Sequence, residues 1–67
     1  MPLIQVSLIK GRPREKLEKM AEELTQAVVR TIGAPQEAIR VIINEVDSDD
    51  WFVAGVSQTK RRAAPKT

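Results

Sequence analysis

Four residues of this 67-residue chain have types and settings that could do chemistry: Pro2, Arg12, Arg40 and Trp51. The chain contains no His and no Cys. That removes the commonest general base, the commonest zinc ligand, and every Ser-His-Asp or Cys-His arrangement. A catalytic base must then be Asp, Glu, Lys or an N-terminal amine. An initiator Met is normally removed before a residue as small as Pro2, which would expose a secondary amine. An α-amino group titrates ordinarily at about 7.7–8.0, and an apolar pocket or a nearby cation lowers that value. A base tuned close to working pH is what proton transfer needs. Met-Pro is also a common translation start, so the reading depends on what surrounds Pro2.

Two cations and an aromatic pair supply those surroundings. Arg12 follows Gly11 at the start of a helical pattern, where a solvated cation is the alternative reading. Arg40 interrupts the apolar run Ile39–Ile43. A cation there is unusual, because a strand buried on both sides prefers continuous apolar residues. A guanidinium stays charged and grips a carboxylate with two parallel hydrogen bonds. The alternative for Arg40 is a structural pair with Glu45 or Glu37. Trp51 and Phe52 are the only aromatic residues. They could wall off and desolvate an amine, or pack in a core or interface. Asp47, Asp49 and Asp50 read as a solvated turn, since Asp-Ser-Asp-Asp lacks the glycine and terminal Glu of a calcium loop.

The elements that must position these residues are legible. Residues 3–9 are short, β-branched and bounded by Lys10-Gly11, which predicts a strand. Over residues 13–32, Leu17, Met20, Ala21, Leu24, Ala27, Val28, Thr31 and Ile32 recur every three or four positions. That is one stripe of an amphipathic helix. Pro13 suits its first turn, Gly33 a left-handed C-terminal cap, and Pro35 prevents continuation. Residues 39–46 predict a second strand, and 51–57 a short third strand or hairpin. Strand, helix and strand imply a right-handed crossover and a parallel pair. The expected class is α/β (α+β): one β-α-β domain over residues 2–59 with a short C-terminal β-hairpin, then a basic disordered tail over 60–67.

Both strands carry apolar residues on both faces, and one helix covers only one of them. A second copy is the simplest cover for the other. Size argues the same way, because so small a chain buries a modest share of its surface and has no disulfide to staple it. The homo-oligomer is thus expected from the residues alone. The net charge of +2 is uneven: Lys60, Arg61, Arg62 and Lys66 leave residues 1–59 with seven basic and nine acidic side chains. A multivalent basic tail could touch nucleic acid, but an acidic body without interleaved aromatics does not predict base stacking. Nucleic-acid binding is therefore not expected. No apolar run approaches a membrane span of about 20 residues, and the expected location is the cytoplasm.

Taken together, Pro2, Lys10-Gly11-Arg12, Ala34-Pro35, the run from Ile39 to Glu45 and the run from Trp51 to Gly55 resemble the 4-oxalocrotonate tautomerase family. The resemblance covers residues 2 to about 57. It implies a β-α-β subunit with a C-terminal hairpin, assembled as a hexamer built from dimers. It implies a cofactor-independent, metal-free tautomerase acting on a small carboxylate, a 2-hydroxy-dienoate or 2-keto acid. Pro2 would be the general base, Arg12 would hold a substrate carboxylate, and Arg40 would stabilise enolate-like charge in a neighbouring subunit's site. Trp51 would form the aromatic wall, where the best-known members carry phenylalanine. Phe52 and Ala54 stand where glycines often occur in the family's hairpin. A haloacrylate dehalogenase on the same scaffold would need a further carboxylate near the hairpin and a further arginine near the end of strand one. Those stretches here read Phe52-Val53 and Leu8-Ile9, so efficient dehalogenation is not expected. A non-enzymatic oligomeric binding module is the other alternative.

Overall fold

The computed structural model describes residues 2–63. Strand β1 (Leu3–Ile9) leads into helix α1 (Arg14–Ile32), a 3-10 turn (Gln36–Ala38) and strand β2 (Arg40–Val46). β1 and β2 pair in parallel, with Leu3 opposite Arg40 and Ile9 opposite Val46. A second 3-10 turn (Ser48–Asp50) then precedes the hairpin β3 (Phe52–Val53) and β4 (Val56–Ser57) and a short helix, α2 (Gln58–Ala63). The β-α-β unit, the parallel pair and the hairpin are all as the sequence predicts.

The helix boundaries follow from local chemistry. Pro13 is extended (φ −62°, ψ 148°) and stands just outside the helix as its N-cap residue, one position before the first turn in which it was expected. Its carbonyl accepts from the N–H groups of Lys16 and Leu17 at 3.1 and 3.3 Å. Gly33 closes the helix at φ 71°, and its N–H donates to the Val29 carbonyl at 3.1 Å. A side chain is strained at that φ, so glycine suits the cap.

Register divides the sheet into two faces. Ile4, Val6 and Leu8 lie beside Val41, Ile43 and Glu45, while Leu3, Gln5, Ser7 and Ile9 lie beside Arg40, Ile42, Asn44 and Val46. α1 covers the first set, with Leu17 almost fully buried at 3% exposure. Ile32, counted in the predicted stripe, is instead exposed. At 1.5 Å per residue a 19-residue helix is about 28 Å long, whereas a seven-residue strand spans about 23 Å. The last turn therefore overhangs the sheet.

Among the described residues the second face is open toward its leading end: Leu3 is 54% exposed and Ile42 45%, whereas Ile9 and Val46 are half-buried. Phe52, Val53 and Val56 of the hairpin are exposed as well. The radius of gyration is 15.8 Å, against about 11 Å for a compact chain of this length. Among the described residues only Leu17 and Ile39 form a buried apolar core, and the only ion pairs join Lys19 to Glu22 and Glu23 on the exposed helix face. Such pairs contribute little. No described helix is long and apolar enough to cross a membrane.

The residues from Lys60 onward, expected to be a disordered tail, differ over their first part. Residues up to Ala63 belong to α2, while Lys66 lies outside the described residues. Ser57 is the physical reason. It is buried, and its hydroxyl oxygen accepts from the Lys60 N–H at 3.3 Å, the side-chain cap of a helix N-terminus.

Leu17 is the residue on which the helix–sheet contact turns. Leu17→Ala is expected to lower the unfolding free energy by about 2–5 kcal/mol, read by denaturant titration. A loss below about 1 kcal/mol would show that the buried face of α1 is not what holds the sheet.

Candidate active site

Pro2 lies immediately before β1, partly buried, and its carbonyl accepts from the Arg40 N–H at 3.0 Å. The parallel register is the cause, because Leu3 opposite Arg40 brings the leading ends of both strands together. An amine at Pro2 would therefore sit on a fixed strand rather than on a loose end. The Arg40 side chain is exposed, and its Nη1 donates to the Glu37 carbonyl at 2.7 Å. That contact is with a backbone carbonyl, and neither Glu37 nor Glu45 forms an ion pair with Arg40 among the described residues. The Glu37 carbonyl thus holds one terminal nitrogen of the guanidinium without neutralising its charge.

Arg12 and Trp51 meet at the opposite end of the sheet. Lys10 ends β1 by donating its N–H to the Val46 carbonyl at 2.9 Å. Gly11 then turns the chain at φ 134°, a conformation that favours glycine. Arg12 folds back, with Nη1 donating to the Ile9 carbonyl at 3.0 Å. Arg12, Trp51, Lys10, Leu8 and Ser7 line one open cleft of about 510 Å³. Arg62 of α2 lines it too.

The structure thus forms two groups, Pro2 with Arg40 and Arg12 with Trp51. It does not bring the two groups together. Between them runs all of β1, seven residues and so about 23 Å of extended chain. That is several times the reach of a small dienoate.

Arg62 is the cleft residue that the sequence reading missed, having been assigned to the tail. The available signal was Ser57, a good N-cap residue ahead of the helix-compatible stretch Gln58–Ala63. Of the three turn aspartates, Asp47 accepts from the Asp49 N–H at 2.9 Å, and Asp49 accepts from the Thr59 hydroxyl at 2.5 Å. These are the contacts of a turn and its anchor.

Known proteins resemble this chain over nearly its whole length. Residues 2–61 match the family described as tautomerase enzyme. A probable tautomerase of Ralstonia nicotianae, RSp0893, is 50% identical over 66 residues, covering 98% of this chain and 94% of that protein. The 2-hydroxymuconate tautomerase of Comamonas testosteroni is 39% identical over 57 residues, covering 85% of this chain and 90% of that protein. Among solved structures, TomN, a 4-oxalocrotonate tautomerase homologue in the tomaymycin biosynthetic pathway, superposes with a TM-score of 0.94 at 45% identity. The superposition covers 97% of this chain and 100% of that one.

Proposed function

This chain belongs to the tautomerase family, as an isomerase of the 4-oxalocrotonate tautomerase kind, and we propose that it isomerises small 2-hydroxy-dienoate or 2-keto carboxylates with Pro2 as general base. The observation that carries the reading is the hydrogen bond from Arg40 N–H to the Pro2 carbonyl. It ties residue 2 to the leading end of the paired strands, where an amine would be held in place.

The chemistry follows from the groups. With Met1 removed, the neutral secondary amine of Pro2 takes the proton of the substrate's 2-hydroxyl. The electron pair spreads along the conjugated chain as a dienolate. Arg40 opposes that charge near the keto oxygen. The Pro2 ammonium then returns its proton to a carbon of the same chain, leaving the keto form and the free amine. No atom is gained or lost, and the scheme needs no metal or organic cofactor. Arg12 holds a carboxylate by its guanidinium fork, and Trp51 excludes water from the reacting chain.

A complete site calls for more than one copy. Pro2 and Arg12 of one chain lie at opposite ends of β1, and β1 has β2 on one side only among the described residues. Two copies related by a two-fold axis, with their β1 edges antiparallel, would bring Pro2 of one copy to Arg12 and Trp51 of the other, twice over. The exposed Leu3–Ile42 face and the hairpin's Phe52, Val53 and Val56 are the further surfaces on which such dimers would assemble, with a hexamer of three dimers as the proposed form. There the exposed guanidinium of Arg40 serves a neighbouring subunit's site.

Four outcomes are expected when ketonisation of 2-hydroxymuconate is followed by loss of its ultraviolet dienol band. Pro2→Ala should lower kcat/KM by about 10²-fold or more with an unchanged circular dichroism spectrum, the range for removal of a general base. A chain shown by mass to keep Met1 should be inactive, because Pro2 would then be an amide nitrogen; full activity in such a chain would remove the proline mechanism. Arg40→Ala should lower kcat by about 10²-fold, whereas Arg12→Ala should act mainly on KM, by about tenfold or more for the loss of a charged hydrogen bond. Negligible effects from both arginines would mean that other cations carry the charge.

A further inference from the structure

The cleft at the Arg12 end is more cationic than one carboxylate-binding arginine requires. Lys10, Arg12 and Arg62 all line it, and its lining contains no Asp or Glu. Residues 1–59 carry more acidic than basic side chains, so this concentration of positive charge is local. Three like charges around one cleft repel one another, and an anion between them relieves that repulsion.

Arg62 reaches the cleft because α2 is fastened down. An isolated six-residue helix is too short to be stable in water, so its contacts elsewhere must hold it. The Gln58 N–H donates to the Trp51 carbonyl at 2.6 Å. The Thr59 hydroxyl donates to Asp49 Oδ1 at 2.5 Å and lies 2.7 Å from the Ser48 hydroxyl. A carboxylate only accepts, so Thr59 donates to Asp49 and its oxygen is left to accept from Ser48. With the Ser57 cap on Lys60 N–H, these bonds tie α2 to the turn that precedes Trp51. The clasp and the aromatic wall are one assembly.

We propose that Arg62 is a second anion-binding residue beside Arg12, held at the cleft by the Ser48–Asp49–Thr59 clasp, and that it favours substrates with a carboxylate at the end remote from the reacting hydroxyl. The proposal rests on the tautomerase reading for the placing of the reacting end at Pro2 and Arg40. A 2-hydroxy-dienoate with one carboxylate has it beside the reacting hydroxyl. Such a substrate presents no charge to the Arg12–Arg62 cleft. A dienedioate presents its second carboxylate there. Thr59 is a positioning residue in this scheme, and it acts through α2.

The test compares kcat/KM for 2-hydroxymuconate, a dicarboxylate, with that for 2-hydroxypenta-2,4-dienoate, a monocarboxylate. Arg62→Gln should reduce the dicarboxylate-to-monocarboxylate ratio by about three- to tenfold, the loss of one charged hydrogen bond after solvent screening. Thr59→Val should reduce the same ratio and shift the fluorescence maximum of Trp51, the sole Trp. Thr59→Ser, which keeps the hydroxyl, should restore both. A clasp with a merely structural role would lower activity on both substrates equally and leave the ratio alone.

Adipate, an unreactive dicarboxylate, gives a readout independent of turnover. Its binding should quench or shift Trp51 emission, with an affinity reduced by a similar factor in Arg62→Gln. An unchanged ratio together with unchanged adipate affinity in Arg62→Gln would overturn the proposal. If the parent chain turns over neither substrate, the tautomerase reading fails by itself. The adipate titration then decides the role of Arg62: parental affinity in Arg62→Gln overturns it, and weakened affinity supports it.

Discussion

The length of β1 is the constraint from which the functional argument follows. Seven extended residues stand between Pro2 and the Gly11–Arg12 turn, about 23 Å at the rise of a strand. No rotamer of Arg12 brings its guanidinium back to Pro2 across that distance. A base at one end of a strand and a carboxylate anchor at the other become neighbours when a second strand runs antiparallel beside the first. The same operation would pair the free edge of β1. Catalysis and assembly then draw on a single feature of the chain.

The energetics of the isolated subunit agree with that division. One helix laid on two strands buries Leu17 and Ile39 and leaves Leu3, Ile42, Phe52, Val53 and Val56 in solvent. The tight hairpin turn adds a local cost. Ala54 has φ 53° and Gly55 φ 80°, the signs that a two-residue turn of this hand requires. Glycine adopts them freely, whereas an alanine is strained by roughly 1 kcal/mol. Little within one chain offsets such terms, because its surface ion pairs contribute little. Burial of the exposed sheet face and hairpin between subunits would supply the missing hydrophobic stabilisation.

Where backbone periodicity or a special φ governs, the sequence was readable. The Leu17–Val28 stripe, the Gly33 cap and the alternation within residues 3–9 and 39–46 are short-range signals, and each led to the observed element. The cation at Arg40 was visible because it broke an apolar run. Arg62 was hidden by the opposite circumstance. Gln58–Ala63 has no apolar stripe, and its order depends on polar contacts with Ser48, Asp49 and Trp51. No window of sequence displays such contacts, although the Ser57 cap was a local sign. The separation of Pro2 from Arg12 was implicit in a seven-residue strand, yet it becomes decisive only when the groups are set in space.

The most direct test of a shared site is complementation. Chains carrying Pro2→Ala and chains carrying Arg12→Ala are co-expressed, and mixed oligomers are verified by native mass spectrometry. Activity is measured at substrate concentrations below the parental KM. If Pro2 of one copy works with Arg12 of another, random pairing gives about one quarter of the sites both residues intact by two-fold symmetry. Activity should then rise from the level of the two variants alone, at most about a tenth of the parental value, to about one quarter of it. Verified mixed oligomers that stay as inactive as the two variants alone would contradict the account, and would place base and carboxylate anchor within the same chain.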